Sequence, residues 1–273
     1  MNTHETDSFT ARVEDLCERA EKWYAPAFTP FLTAEEQQLA RRAASAFPQV
    51  FCLSFGGFEN AERRKLGFFN ADAYVKPENA ALFDGVHTQT ADTLPFAEDA
   101  EIAAVRIRGS GFRTWSHRDV LGSLMALGIR RETLGDIFVE DDGHTAYVIT
   151  TEGMAPFLCD ALTDVANDRV KTERIPREKL PEKRQQFADQ SLTLASLRLD
   201  ALVAAMLNLS RENAKKLLHS GAISLNHTVC TAVDKEFAAG DVISVRGHGK
   251  FLVDSFLGKT QKDRMRVIVR KYI

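Results

Sequence analysis

The stretch RLDALVAAMLNLSRENAKKLLHSGAISLN, Arg198 to Asn226, sets its charges in order along two amphipathic segments. Leu199, Leu202, Val203 and Met206 recur at helical spacing, so a first helix turns one face inward. Ser210 caps a second helix, whose buried stripe is Ala214, Leu217 and Leu218. Arg211, Lys215 and His219 are spaced by four and line a neighbouring face, with Lys216 beside it. Gly221 stops that helix. AISLN and HTVC read as a tight hairpin around Asn226-His227, and GDVISVRGHGKFLV as a further strand pair entered at Gly240-Asp241. The module implied is two helices on a small twisted sheet.

Such a cationic face suits a phosphate backbone, because each cation that neutralises a phosphate releases a counterion. Arginine adds planar, bidentate geometry. Asp200, two residues after Arg198, sits at the entry to the first helix. A carboxylate there is favoured by the helix dipole and can hold a neighbouring cation in position. The bland alternative is a helical hairpin with a solvated charged face.

The rest of the chain makes this face conspicuous. Of 273 residues 44% are apolar and the net charge is −3. From Arg198 to the end there are 13 Lys/Arg against 7 Asp/Glu, so a basic module follows an acidic body. The four cysteines, Cys17, Cys52, Cys159 and Cys230, form no CxxC pair, which argues against a zinc site or disulfide framework and for reduced thiols in a cytosol. MNTHETDSFT lacks the marks of a signal or transit peptide, and no apolar run reaches the roughly 20 residues of a membrane span. A cytoplasmic protein that does not engage membranes is expected.

The chain reads as α+β in three segments: 1–75, a small α/β domain; 76–180, a ferredoxin-like, RNA-recognition-like domain; and 190–273, the basic module with a basic C-terminal tail. In the first, Phe9–Trp23 is a helix, Thr33 with Glu36 forms a capping box, and VFCLSF (Val50–Phe55) is a buried strand. GGFENAERRKLGFF turns at Gly56-Gly57 and re-enters a helix carrying Arg63, Arg64 and Lys65, a solvated face or a phosphate contact. In the second, EIAAVRIR is a strand, Ser116 caps a helix through Leu127, and DIFVE and TAYVIT flank a turn at Asp141-Asp142-Gly143. EGMAPFLCDALTDVA is a helix and RVKTERI the last strand, giving β-α-β-β-α-β. RNA-recognition domains stack bases on aromatics of their central strands, whereas here those strands offer only Tyr147. GSGF (Gly109–Phe112) reads as a turn, with Arg113, His117 and Arg118 a small basic patch beside it. HRD at His117–Asp119 lacks the Asn a kinase catalytic loop requires. IPREKLPEKRQQ (Ile175–Gln186) is the linker.

Arg198-Leu199-Asp200, Ser210-Arg211, Gly221 to Asn226 and Gly240-Asp241 closely resemble the RNA-binding module first named from ribosomal protein S-four, the α-L motif. Many members have Gly after the Asn, where His227 stands here, which leaves the turn type open. FGGFENAERR, SHRDVLGSLMALGIRRETLGDI and SVRGHGKF extend the resemblance to the YlmH family of bacterial proteins. The resemblance implies binding to rRNA of the large ribosomal subunit and to tRNA, in quality control of subunits obstructed by peptidyl-tRNA. It implies Arg198 and Arg211 as principal RNA contacts with Asp200 positioning Arg198. Lys215 and Lys216 are added from helix geometry.

An enzyme is the other class. Pseudouridine synthases join this module to a larger catalytic domain, but only about 20 residues follow it here, too few for a domain. No GxSxG, HExxH, Walker or paired-Cys signature occurs. The expectation is a monomeric, non-enzymatic RNA adaptor without cofactor, metal or catalytic residue, the alternatives being an RNA-modifying enzyme or a ribosome assembly factor.

Overall fold

A computed structural model describes residues 3–58, 61–76, 97–181, 187–226 and 228–272. It is mixed α+β and divides into two compact units, Met1–Glu182 and Lys183–Ile273. The first unit joins the two segments that the sequence separates near residue 75.

In the first unit, α1 (Thr3–Trp23) and α2 (Ala34–Ala44) cover a three-stranded sheet of order β1-β3-β2: β1 (Ala27–Phe28), β2 (Val50–Phe55) and β3 (Lys65–Asn70). The expected capping box forms, with Thr33 Oγ1 accepting from Glu36 N and Glu36 Oε2 accepting from Thr33 N. No helix forms over Arg63–Lys65: Arg63 and Arg64 lead into β3, Arg64 bridging to Leu32, and Lys65 is the first residue of that strand, which pairs along its length with β2. All six residues of β3 are buried, and a strand covered on both faces carries no helical periodicity. Neither Arg63 nor Lys65 belongs to a solvated face. Lys65 Nζ donates to Ala100 O at 2.6 Å, and Arg63 donates to the carbonyls of Leu134, Phe31 and Arg131. Burial pulls Arg63 below its ordinary pKa and, with the neighbouring Arg63 charge, brings Arg131 down to about 10. A one-turn helix, α3 (Ala71–Tyr74), follows β3.

The rest of the unit runs β4 (Ile102–Arg108), α4 (His117–Ala126), β5 (Leu134–Val139), β6 (Thr145–Thr151), α5 (Ala155–Ala161), β7 (Asp164–Val165), β8 (Asp168–Arg169) and β9 (Lys171–Ile175). The sheet is antiparallel with order β5-β6-β4-β9. The helix expected through Ala166 stops at Ala161, because a small β7–β8 ribbon turns on Ala166 and Asn167, both at positive φ. Both faces of the four-stranded sheet are covered. Ala103, Val105, Ile107, Ala146 and Val148 pack under Val120 and Leu124 of α4 and Leu158 of α5. On the other face Ile102, Ala104, Tyr147, Ile149 and Ile175 share a core with Phe31, Leu53, Phe55 and Phe69 of the N-terminal segment. Tyr147 is thus a core residue, its ring stacked on Phe138 and its hydroxyl donating to Glu140.

The second unit opens with β10 (Phe187–Leu194), followed by α6 (Leu199–Met206), α7 (Arg211–His219), β11 (Ile223–Leu225), β12 (Thr228–Val229), β13 (Val242–Val245), β14 (Gly249–Lys259) and β15 (Met265–Tyr272). The sheet order is β10-β15-β14-β13-β11-β12. The residues read as a basic tail are structured: β14 and β15 form a long hairpin, and β15 pairs over its whole length with β10, which begins just after the expected linker. Leu199, Leu202, Val203 and Met206 of α6, with Ala214 and Leu218 of α7, pack against Ile243, Phe251, Val253, Val267 and Val269. Leu217 is only half-buried. The Asn226-His227 turn is described up to Asn226, which carries the positive φ; His227 lies outside the described residues.

Candidate nucleic-acid interface

Of the five sequence-derived site residues, Arg198 is the N-cap of α6, Asp200 lies in its first turn, and Arg211, Lys215 and Lys216 lie on α7. Main-chain hydrogen bonds fix the start of α6: Leu199 N donates to Lys235 O at 2.8 Å and Asp200 N to Val233 O at 3.3 Å. A Schellman turn ends α6, with Asn208 at positive φ and Leu209 N donating to Ala204 O. Ser210 Oγ then accepts from Asn213 N to cap α7. These local rules bring the N-terminal turns of the two helices side by side.

Asp200 is the centre of the arrangement. Its side chain is 1% exposed, and its Oδ1 accepts from Arg198 Nε at 3.2 Å and from Arg211 Nη2 at 2.9 Å. Oδ2 is buried without a partner among the described residues. Burial pushes the Asp200 pKa up, but the hydrogen bonds from Arg211 and Arg198 outweigh it and hold the carboxyl below its ordinary value. One buried anion therefore orients two guanidinium groups that stay 40% and 52% exposed. Two partly wet, pre-oriented forks can meet phosphate oxygens without losing much rotamer freedom.

The link from Asp200 to Arg198 agrees with the expectation; the link to Arg211 is new. Its signal in the sequence was Asp200 and Ser210-Arg211 at the starts of consecutive helices. Lys215 is exposed one turn beyond Arg211. Lys216 pairs instead with Glu212 at 3.3 Å on its own helix. Two other motif residues are structural: Asn226 donates to Asp241 Oδ1 and accepts from Val242 N, while Asp241 Oδ2 accepts from Ala238 N. They clasp the hairpin to the strand behind it. Among the described residues no cluster of His, Cys, Asp and Glu has the makings of a metal site. No helix among them is long and apolar enough to cross a membrane.

Similarity to known proteins covers most of the chain. Residues 5–73 match the family model "YlmH, N-terminal", and residues 95–179 match "Putative RNA-binding domain in YlmH". These matches define the class, an N-terminal domain followed by a domain described as RNA-binding. The chain belongs to the YlmH family. It is 29% identical over 245 residues to the "Ribosome-associated protein quality control protein P2" of Bacillus subtilis (strain 168), covering 89% of this chain and 86% of that protein. Among solved structures it is similar to "Cell division protein ylmH from Streptococcus pneumoniae", with 22% identity, a TM-score of 0.49, and coverage of 66% of this chain and 98% of that one.

Proposed function

We propose that this protein is a non-enzymatic, cytoplasmic RNA-binding adaptor acting on the large ribosomal subunit in ribosome-associated quality control. It takes rRNA, and tRNA on obstructed subunits, through Arg198 and Arg211, which Asp200 positions, with Lys215 and Lys216 adding charge. It works as a monomer, without cofactor. The middle segment is a ferredoxin-like domain and the second unit an α-L-motif domain.

The observation that carries this reading is the buried Asp200 carboxylate shared by two half-exposed arginines. A purely solvated face has no use for a buried anion that fixes the direction of its cations. The name of the Bacillus subtilis relative supports the quality-control setting.

Co-sedimentation with large ribosomal subunits tests it. Binding at low salt should weaken steeply as salt is added, and Arg198→Ala or Arg211→Ala should each weaken it by about 1–3 kcal/mol, the scale of a charge-assisted hydrogen bond. Sedimentation only as free protein at low salt refutes the adaptor reading. Isomerisation of uridine in rRNA or tRNA by the purified protein establishes the enzyme instead.

A further inference from the structure

The loop between β4 and α4 presents a second kind of surface. Phe112 is 93% exposed, the most exposed large apolar side chain among the described residues. The loop that carries it is clasped from several sides. Ser110 Oγ donates to Asp168 Oδ1 and accepts from Phe112 N. Arg113 donates to Ala166 O. The Arg113 carbonyl is hydrogen-bonded to the His144 ring, and Trp115 N donates to Gly143 O. Gly109 makes the clasp possible, since a Cβ there would lie 2.3 Å from Trp115 Cζ2 and 2.5 Å from Asp168 Oδ2. Phe112 is therefore held out by a built loop.

Its surroundings are cationic. Arg113, Arg169 and Lys171 are exposed, and among the described residues none has a carboxylate within ion-pair distance. Lys171 pairs across the ladder with Arg108 at the end of β4, whose one ion pair among the described residues is a loose one to Glu173 at 3.9 Å. Of the carboxylates in the adjoining turns, Asp168 accepts from Ser110 and Asp142 from His144 N and Thr145 N, while Asp164 faces Arg169 across the β7–β8 ribbon without an ion pair to it. A single exposed apolar residue needs no explanation by itself. One on a clasped loop, next to Arg113 and tied through it to the ribbon that carries Arg169, has the chemistry of a stacking platform for a base whose phosphates lie beside it.

The sheet strengthens the point. The face on which an RNA-recognition domain would stack bases is filled here by Phe31, Leu53, Phe55 and Phe69, with Tyr147 among them. RNA contact by this segment has to use an edge or a loop.

We infer that Phe112 stacks on an unpaired RNA base, with Arg113, Arg169 and Lys171 holding the adjoining phosphates. The inference rests on the RNA-binding reading above but concerns a different surface from Arg198 and Arg211. The test uses the full chain and a short single-stranded RNA carrying 2-aminopurine, whose fluorescence is quenched on stacking. Wild type should bind and quench. Phe112→Leu should bind about tenfold more weakly, ~1.4 kcal/mol, and lose the quench, whereas Phe112→Trp should restore both. Arg211→Ala should weaken binding yet keep the quench at saturation. If Phe112→Leu matches wild type in affinity and quench, the inference is overturned, and a protein or lipid surface becomes the occupant of an apolar residue there. If Phe112→Leu loses both while Arg211→Ala changes nothing, the stacking site stands and the module reading falls. Absence of RNA binding by the wild type overturns both.

Discussion

Asp200→Asn separates positioning from net charge. The substitution keeps the side-chain shape and removes one negative charge. Asp200 Oδ1 accepts two charge-assisted hydrogen bonds, from Arg198 and Arg211. Each such bond contributes about 1.5–3 kcal/mol when buried. The arginines are 40% and 52% exposed, so water takes over a released guanidinium and screens what is lost. The loss in stability of the second unit should then be about 1–2 kcal/mol for both bonds together. At about 4–8 °C per kcal/mol for a domain of this size, its melting temperature should fall by roughly 5–15 °C. Binding carries a second cost, because two arginines no longer held must be ordered on the RNA, at about 0.5–1.5 kcal/mol each. Affinity for large subunits should fall by roughly 5- to 150-fold. If the basic face acts only through summed charge, the same substitution makes it more positive and binding tightens. Melting and subunit affinity at one fixed salt concentration decide the matter: tighter or unchanged binding with unchanged melting refutes the positioning argument.

The same carboxyl sets a pH dependence. Its folded pKa lies below the ordinary value, so its contribution is complete above about pH 4 and is lost as pH falls through the lower folded pKa; acid titration of stability should show this component in wild type and not in Asp200→Asn. A fragment from Lys183 to Ile273 should fold alone and keep much of the RNA affinity, whereas one beginning at Leu192 should melt lower, because Phe187–Ser191 are paired to β15; equal melting of the two would show that this pairing does not matter. Gly109→Ala should destabilise the first unit by about 1–3 kcal/mol, the scale of overpacking, since its Cβ meets Trp115 and Asp168, and unchanged thermal stability would refute the tight approach. Lys262→Ala, in the exposed turn between β14 and β15, should cost far less subunit affinity than Arg211→Ala; equal small losses would assign the binding to charge alone.

What could be read from the sequence was local. Thr33 with Glu36, Ser116 with Asp119 and Ser210 cap helices through atoms three residues away, and the structure has each of these caps. VFCLSF is bounded by Pro48 and Gly56, so even its ends are readable. Lys65–Asn70 is different: its basic start suggests a surface helix, and only the tertiary burial of all six residues makes it a strand. Phe187–Leu194 alternates weakly and has its partner at Met265–Tyr272, so no nearby signal marks it as a strand. The candidate site divides in the same way. Arg198 and Asp200 lie two residues apart, whereas the bond from Arg211 to Asp200 depends on the angle between two helices. The ion pair of Lys216 with Glu212 is an i,i+4 contact that was available in the sequence and outweighed by the count of cations.

The two candidate surfaces answer to different physics. The first 197 residues carry more acidic than basic side chains, and the remainder the reverse. On the proposed function, long-range attraction to RNA belongs to the second unit, and with it most of the salt dependence. A surface in the acidic unit cannot rely on net charge; it needs an interaction that survives screening. Stacking on an exposed ring does, because it is short-ranged and largely insensitive to ionic strength, and every base has a face to offer. Phe112 on its clasped loop fits that requirement. Arg198 and Arg211 would then govern how tightly RNA is held at a given salt concentration. Phe112 would govern whether the RNA offered has an unpaired base to give.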